Sequence, residues 1–222
     1  MALTPFGLWP VNMGTAASWN SKVKAYFIPA SDTGQYFVGD PVIRTGAVNA
    51  ETVYGFHIGA LPVVAAPQTT TAGTPPVTTI TGRATGVIVG FLADQLNQDV
   101  TYSVGGKGRV ALVIDDPLTE YEVLADEPIA LGAIVGKNVS LNPGTPNTFV
   151  GMSGISINTE SAATTITLPW TVLRASDRIG NDLLGNPGNP GATPPIPAAD
   201  PGPTIFVVRL NQSTEANATA GV

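Results

Sequence analysis

The sequence predicts an all-β fold: a sandwich or barrel of many short strands, with an extended N-terminal arm and long Pro/Gly-rich loops. Three observations lead there. Glycine (25) and proline (20) punctuate the whole 222-residue chain. Between them lie short runs rich in Val, Ile, Thr, Tyr and Phe, side chains that suit a pleated, half-buried surface. No long stretch carries a helical apolar period. The best helix-like piece, 92–100, is short and runs into the β-branched pair Val100-Thr101 at its end.

Taken in order, the first segment, 1–21, is an apolar arm carrying Phe6, Leu8, Trp9 and Trp19. Each Trp can bury ~200 Å², worth about 5 kcal/mol at ~25 cal/mol per Å². That offsets the ordering of several residues at ~1–2 kcal/mol each. Such an arm can dock on its own domain or on a neighbouring subunit, and the neighbour is the expectation taken forward. "KVKAYFI" (22–28) alternates Lys22, Lys24 and Tyr26 against Val23, Ala25 and Phe27, and "QYFVG" (35–39) should form a hairpin with it. "TGVIVGFLA" (85–93) and "RVALVID" (109–115) are near-continuous apolar runs, the pattern of strands buried on both faces. "TEYEVLA" (119–125) alternates, placing Tyr121 and Val123 inward and Glu120 and Glu122 outward. Further strands are expected in "AIVGKNVSL" (133–141), "TFVGMSGISI" (148–157), "TTITLPWTVLRA" (164–175) and "TIFVVRL" (204–210). Two proline-rich segments, 66–79 and 185–203, read as extended loops, the second a loop or arm. The whole, 1–222, is expected to be a single β-rich domain.

Charge narrows the function classes. Charged residues make up only 12% of the chain, against ~25% in typical domains; such a surface suits a chain packed against other subunits. The formal net charge is −6 with basic residues scattered singly, which argues against nucleic acid, whose affinity comes largely from Lys and Arg on phosphates. No run reaches the ~20 apolar residues of a membrane helix, and the N-terminus lacks the basic region of a signal peptide. Membrane is therefore not an expected partner, and synthesis in a cytoplasm is the default. With no cysteine and a single histidine, His57, disulfides, thiolate chemistry and transition-metal sites are not expected.

Each motif that could carry chemistry has a plainer structural reading. Asp32-Thr33-Gly34 is the aspartic-protease tripeptide, but no second copy occurs in the chain and its flanks are not apolar; turn chemistry explains it. "GGKG" (105–108) and "GAIVGKN" (132–138) lack the spacing of a phosphate loop and precede no helix. "GMSGI" (151–155) misses the nucleophile-elbow pattern, and His57 would have to serve any serine as base. Asp115 and Asp116 are neighbours, so on a strand they face opposite ways, and Pro117 ends that strand. A calcium cluster with Glu120 is the competing reading, since carboxylates suit that ion. No catalytic set, cofactor or metal is expected.

The region 86–211 resembles a known family, the head decoration or cement proteins of tailed bacteriophages. The carriers are "GVIVGF" (86–91), "YSVGGKGRVALVIDDPLTEYEVLADE" (102–127), "VGKNVSL" (135–141), "GMSGISINTESAATTITLPWTVL" (151–173) and "FVVRLNQS" (206–213). Gln212-Ser213 stands where the family often has Asn-His, and the proline-rich insertion before the last strand departs from the family pattern. The resemblance implies a noncatalytic β-rich virion protein on the outer capsid surface, bound to the major capsid protein and stabilising capsomer junctions. Self-assembly as a homotrimer is expected, with a homodimer second. The residues expected at subunit or capsid interfaces are Phe6, Leu8, Trp9, Trp19, Pro194, Pro195 and Ile196. Competing expectations are a carbohydrate- or receptor-binding virion module using Trp9, Trp19 or Trp170, and a tail-tube or tail-fibre component.

Overall fold

The structure is a computed structural model that describes residues 5–13, 17–18, 22–49, 61–72, 77–93, 100–127, 129, 131–178, 181 and 205–214. The strands are β1 (Trp9–Met13), β2 (Ala17–Ser18), β3 (Lys24–Ile28), β4 (Pro41–Val48), β5 (Pro62–Ala65), β6 (Thr69–Ala72), β7 (Val77–Ile80), β8 (Gly86–Phe91), β9 (Arg109–Ile114), β10 (Glu120–Leu124), β11 (Asn138–Asn142), β12 (Ser156–Ala163), β13 (Trp170–Ala175) and β14 (Ile205–Leu210). The helix α1 (Leu131–Ile134) is a single turn. The chain is all-β, as its composition predicts.

Two sheets organise the described strands. β3, β5, β4, β8 and β9 close a small barrel; the others form a nine-stranded sheet in the order β2-β1-β10-β14-β13-β11-β7-β6, with β12 paired to β11. Alternation builds the barrel interior. Tyr26 and Ile28 of β3, Val42 of β4, Val64 of β5, Ile88 of β8, and Ala111 and Val113 of β9 meet there with Tyr36. The opposite face of β3, β5 and β9 buries Phe27, Val63 and Val110. β9 is therefore covered on both sides, as its continuous apolar run requires.

The larger core lies against the nine-stranded sheet. It gathers Tyr121 and Val123, Val139 and Leu141, Trp170 and Val172, and Phe206 and Val208, together with Val87 and Ile114 from the barrel strands. The Tyr121 and Trp170 rings meet edge to face at 5.8 Å. Burial pushes the Tyr121 phenol well above its ordinary pKa. The link from β9 to β10 passes from barrel to sheet, so the acidic turn at 115–118 sits at their junction.

Several expectations need correction. "QYFVG" forms no hairpin with β3: Tyr36 bridges Ser103 and Val38 bridges Met152, while β3 pairs with β9 and β5. The segment 66–79 is not an extended loop, because β6 and β7 pair within it from Thr69↔Ile80 to Ala72↔Val77. Its threonines are β-branched and suit a strand. Ala133 and Ile134 belong to α1, and the strand after them begins only at Asn138. Residues 148–155 are turn and irregular backbone, and β12 begins at Ser156. The arm docks on its own domain at least through residue 13: β1 pairs with β10, and Leu8 is fully buried in the main core. Trp19, His57, the segment 185–203 with Pro194, Pro195 and Ile196, and most of 92–100 lie outside the described residues.

Candidate interaction surface

Local hydrogen bonding occupies the residues that looked catalytic. Asp32 Oδ1 accepts from the Gly34 amide at 2.8 Å, and Asp32 Oδ2 accepts from Tyr36 Oη at 2.5 Å. Tyr36 Oη also accepts from the Ala66 amide at 2.9 Å. Burial, then the Asp32 carboxylate beside it, push the Tyr36 phenol well above its ordinary pKa. The Asp32 turn and the GGKG turn pack together: Gly106 N donates to Asp32 O at 2.8 Å. A Cβ on Gly105 would come 2.0 Å from Thr33 O, so only glycine permits that approach.

The adjacent aspartates take separate structural roles. Asp115 Oδ2 accepts from Lys24 Nζ at 2.6 Å and from Tyr26 Oη at 2.9 Å, tying the end of β9 to β3. Asp116 Oδ1 accepts from the Leu118 amide at 2.9 Å and so closes the Pro117 turn. Among the described residues, no group of three or more His, Cys, Asp or Glu side chains converges as a metal site would. No described helix is long and apolar enough to cross a membrane.

Glu122, expected to face solvent, is only 6% exposed. It lies on the face of β10 opposite Tyr121, but the chain after β13 folds over that face. Ser176 Oγ donates to Glu122 Oε1, and Arg178 Nε lies against Glu122 Oε2. The Arg178 guanidinium in turn stands 5.3 Å from the centre of the Phe6 ring. Alternation gives the face correctly; only the tertiary cover makes it buried.

The same cover holds the base of the proline-rich insertion. Asn181 Nδ2 donates to Ser176 O at 2.8 Å and to Ile205 O at 2.9 Å, and Ile205 N donates to Asn181 Oδ1 at 2.8 Å. Ser176 N donates to Ile205 O at 2.8 Å. A single buried amide thus holds Asn181, Ser176 and Ile205 together.

Of the predicted interface residues that are described, Leu8 is buried in the chain's own core and Phe6 is half-buried under Arg178. Trp9 alone remains open, 42% exposed on β1 opposite Glu122. Trp170, a candidate for sugar stacking, is 1% exposed and cannot serve.

Sequence reasoning missed the most pronounced surface feature. Between Pro143 and Ser153 the chain makes a tight turn around Asn147. Asn147 Oδ1 accepts from Phe149 N at 3.1 Å and Val150 N at 3.3 Å. Asn147 O accepts from Gly151 N and Met152 N, and Asn147 N donates to Met152 O. Gly151 has φ +74°, and a Cβ there would strike Thr101 Oγ1 at 2.2 Å. This fixed turn holds Phe149 out into solvent, 92% exposed.

Beside it lies a cleft of about 320 Å³ bounded by Tyr36, Pro41, Pro67, Ile80, Pro143, Pro146 and Ile155. Asp40 is at its wall, accepting from Phe37 N at 2.8 Å and bonded to Ser153. Burial raises the Asp40 pKa from 3.8 to about 6, against the opposing pull of those two bonds. The signal for this site was available as an uncharged run: no Asp, Glu, Lys, Arg or His occurs between Lys137 and Glu160.

A comparison of the chain with protein-family models, with curated proteins and with solved structures finds no match.

Proposed function

We propose that the chain is a noncatalytic structural protein of a tailed-phage virion, one that binds the outside of the capsid at capsomer junctions and contacts the major capsid protein. The observation that carries this reading is Trp9. β1 is built into the sheet and Leu8 into the core, yet the intervening indole stays 42% exposed. An aromatic anchor on a rigid strand is the kind of residue that dominates protein–protein interfaces. The sequence resemblance supplies the partner: the stretch 102–127, its longest carrier, is the link that joins barrel to sheet. Sparse charge and a net charge of −6 suit an outer, protein-packed surface rather than one facing DNA.

Mechanically, a cement protein of this kind sums many modest contacts through multivalency on a fixed lattice. Assembly as a trimer at local threefold positions, or as a dimer at twofold positions, multiplies each Trp9 contact by the symmetry. The test is co-sedimentation of purified protein with undecorated shells, followed by heating. Wild type should sediment with shells and raise their rupture temperature. Trp9→Ala should bind roughly tenfold more weakly or worse at a temperature where its own melting curve shows the variant still folded, since the covered part of the indole also packs on the chain. Wild type that neither binds shells nor protects them overturns the proposal. Trp9 could equally stack on a sugar ring; glycan-array binding lost in the same variant, with no shell binding, would favour the receptor-binding reading.

A further inference from the structure

We infer that the chain self-associates by seating Phe149 of one copy in the proline-lined cleft of another. The knob comes first. Phe149 is 92% exposed on a turn whose backbone is held by five hydrogen bonds to Asn147 and Met152. The backbone beneath the ring is already ordered, so binding has only the side chain's own rotamers left to fix, which favours association.

The hole is on the same chain. Its volume of about 320 Å³ and its walls of Pro41, Pro67, Ile80, Pro143, Pro146 and Ile155 fit one aromatic ring. Phe149 cannot fill its own cleft, because it points into solvent from the adjacent turn. Pro146 and Ser153 flank that turn and also line the cleft, so knob and hole lie side by side on one face. That arrangement is self-complementary: a second copy turned to face the first presents its hole to the first copy's knob, and the reverse.

With knob and hole on the same chain, the charge pattern also suits a second copy as occupant. Residues 143–145 and 147–150 are exposed, yet the whole run 138–159 has no ionisable side chain. Two such turns can meet without desolvating a charge on either, and the one carboxylate of the cleft, Asp40, is already turned into the chain's own bonds with Phe37 N and Ser153. This inference gives a surface to the self-assembly expected of a virion protein but does not rest on that reading, since the isolated chain tests it.

The experiment uses the full chain in two arms. In sedimentation velocity, wild type should show a concentration-dependent oligomer, and Phe149→Ser should weaken its association by roughly tenfold or more with an unchanged melting temperature, because the side chain packs on nothing. In the second arm, F149C and T69C chains of different tag length are mixed under mild oxidation; Thr69 is exposed at the cleft rim. The chain has no native cysteine, so a disulfide between the two tagged species reports knob in hole. A dominant mixed disulfide and a monomeric F149S chain support the inference. A monomeric wild type, an oligomer indifferent to F149S, or crosslinks confined to like pairs overturn it. Shell binding by a chain that stays monomeric would overturn this contact while leaving the capsid proposal standing.

Discussion

Replacing Asp40 by Asn tests how the cleft tolerates a carboxylate. Asp40 is half-buried beside Pro41 and Phe37, with hydrogen bonds from Phe37 N and Ser153. Burial outweighs those bonds and raises its pKa from 3.8 to about 6. At ~1.36 kcal/mol per unit, that displacement costs the ionised folded state about 3 kcal/mol. Between pH 3.8 and about 6 the folded chain keeps a proton that the unfolded chain has released. The stability associated with that proton is fully present below 3.8 and is lost as the pH rises through about 6. Asparagine removes the charge and keeps the shape. Its Oδ1 can accept from Phe37 N, and its Nδ2 can donate to Ser153 Oγ.

The assay is urea denaturation of wild type and Asp40→Asn from pH 4 to pH 8, compared as a difference at each pH, so that carboxylates titrating alike in both chains cancel. Near pH 4 the two should agree within about 0.5 kcal/mol. By pH 8 the Asn chain should be more stable by about 2–3 kcal/mol. A difference that does not change with pH, or a wild type that gains on the variant as pH rises, would refute the claim that burial governs this carboxylate. Ser153→Ala sharpens the test: it removes a bond that favours the ionised form, so the pH dependence should move to still higher pH.

Two further predictions concern the scaffold. Asn181→Ala deletes three buried hydrogen bonds to Ser176 and Ile205; at ~1 kcal/mol each it should cost about 3 kcal/mol in chemical denaturation. Gly105→Ala drives a Cβ to 2.0 Å from Thr33 O and should cost about 2–3 kcal/mol, visible as a lower melting temperature, whereas Gly106→Ser, where a Cβ meets nothing within 4 Å, should pay only for its positive φ.

The parts of the fold legible in the sequence are those where local pattern and tertiary cover agree. β8, β9, β10 and β14 are continuous or alternating apolar runs, and each forms within a residue or two of its expected bounds. β6 and β7 are hidden by Pro75 and Pro76, which read as an extended loop, although "TTTA" and "VTTI" on either side carry the β-branched strand signal. "QYFVG" escaped in the other direction. Its apolar pattern is genuine, but the Asp32–Gly34 turn does not bring it back onto β3, and its bridges go to distant Ser103 and Met152. Glu122 was expected on the wrong side of the surface, and Asp40 drew no reading at all, for one shared reason. Each is polar in a locally ordinary setting, and each is buried by a segment far along the chain, at Ser176 and Arg178 or at Ser153. No window of neighbouring residues contains that information.

The low charge of the chain also has a place as well as a quantity. Burial explains the absence of charge along β11, where Asn138, Val139, Ser140 and Leu141 are all covered. It does not explain 143–145 and 147–150, which are exposed and carry Pro, Gly, Thr, Asn, Phe and Val. Folding alone places no ban on Lys or Glu at such positions, and solubility favours them. The opposite choice is made at Glu122, where a carboxylate is kept under cover at the cost of desolvation and held by Ser176 and Arg178. A chain that buries a charge and leaves a phenylalanine in water carries the kind of surface the proposed self-association needs. For that reason Phe149→Ser should leave the melting curve of the monomer unchanged and show its effect only when a second copy is present.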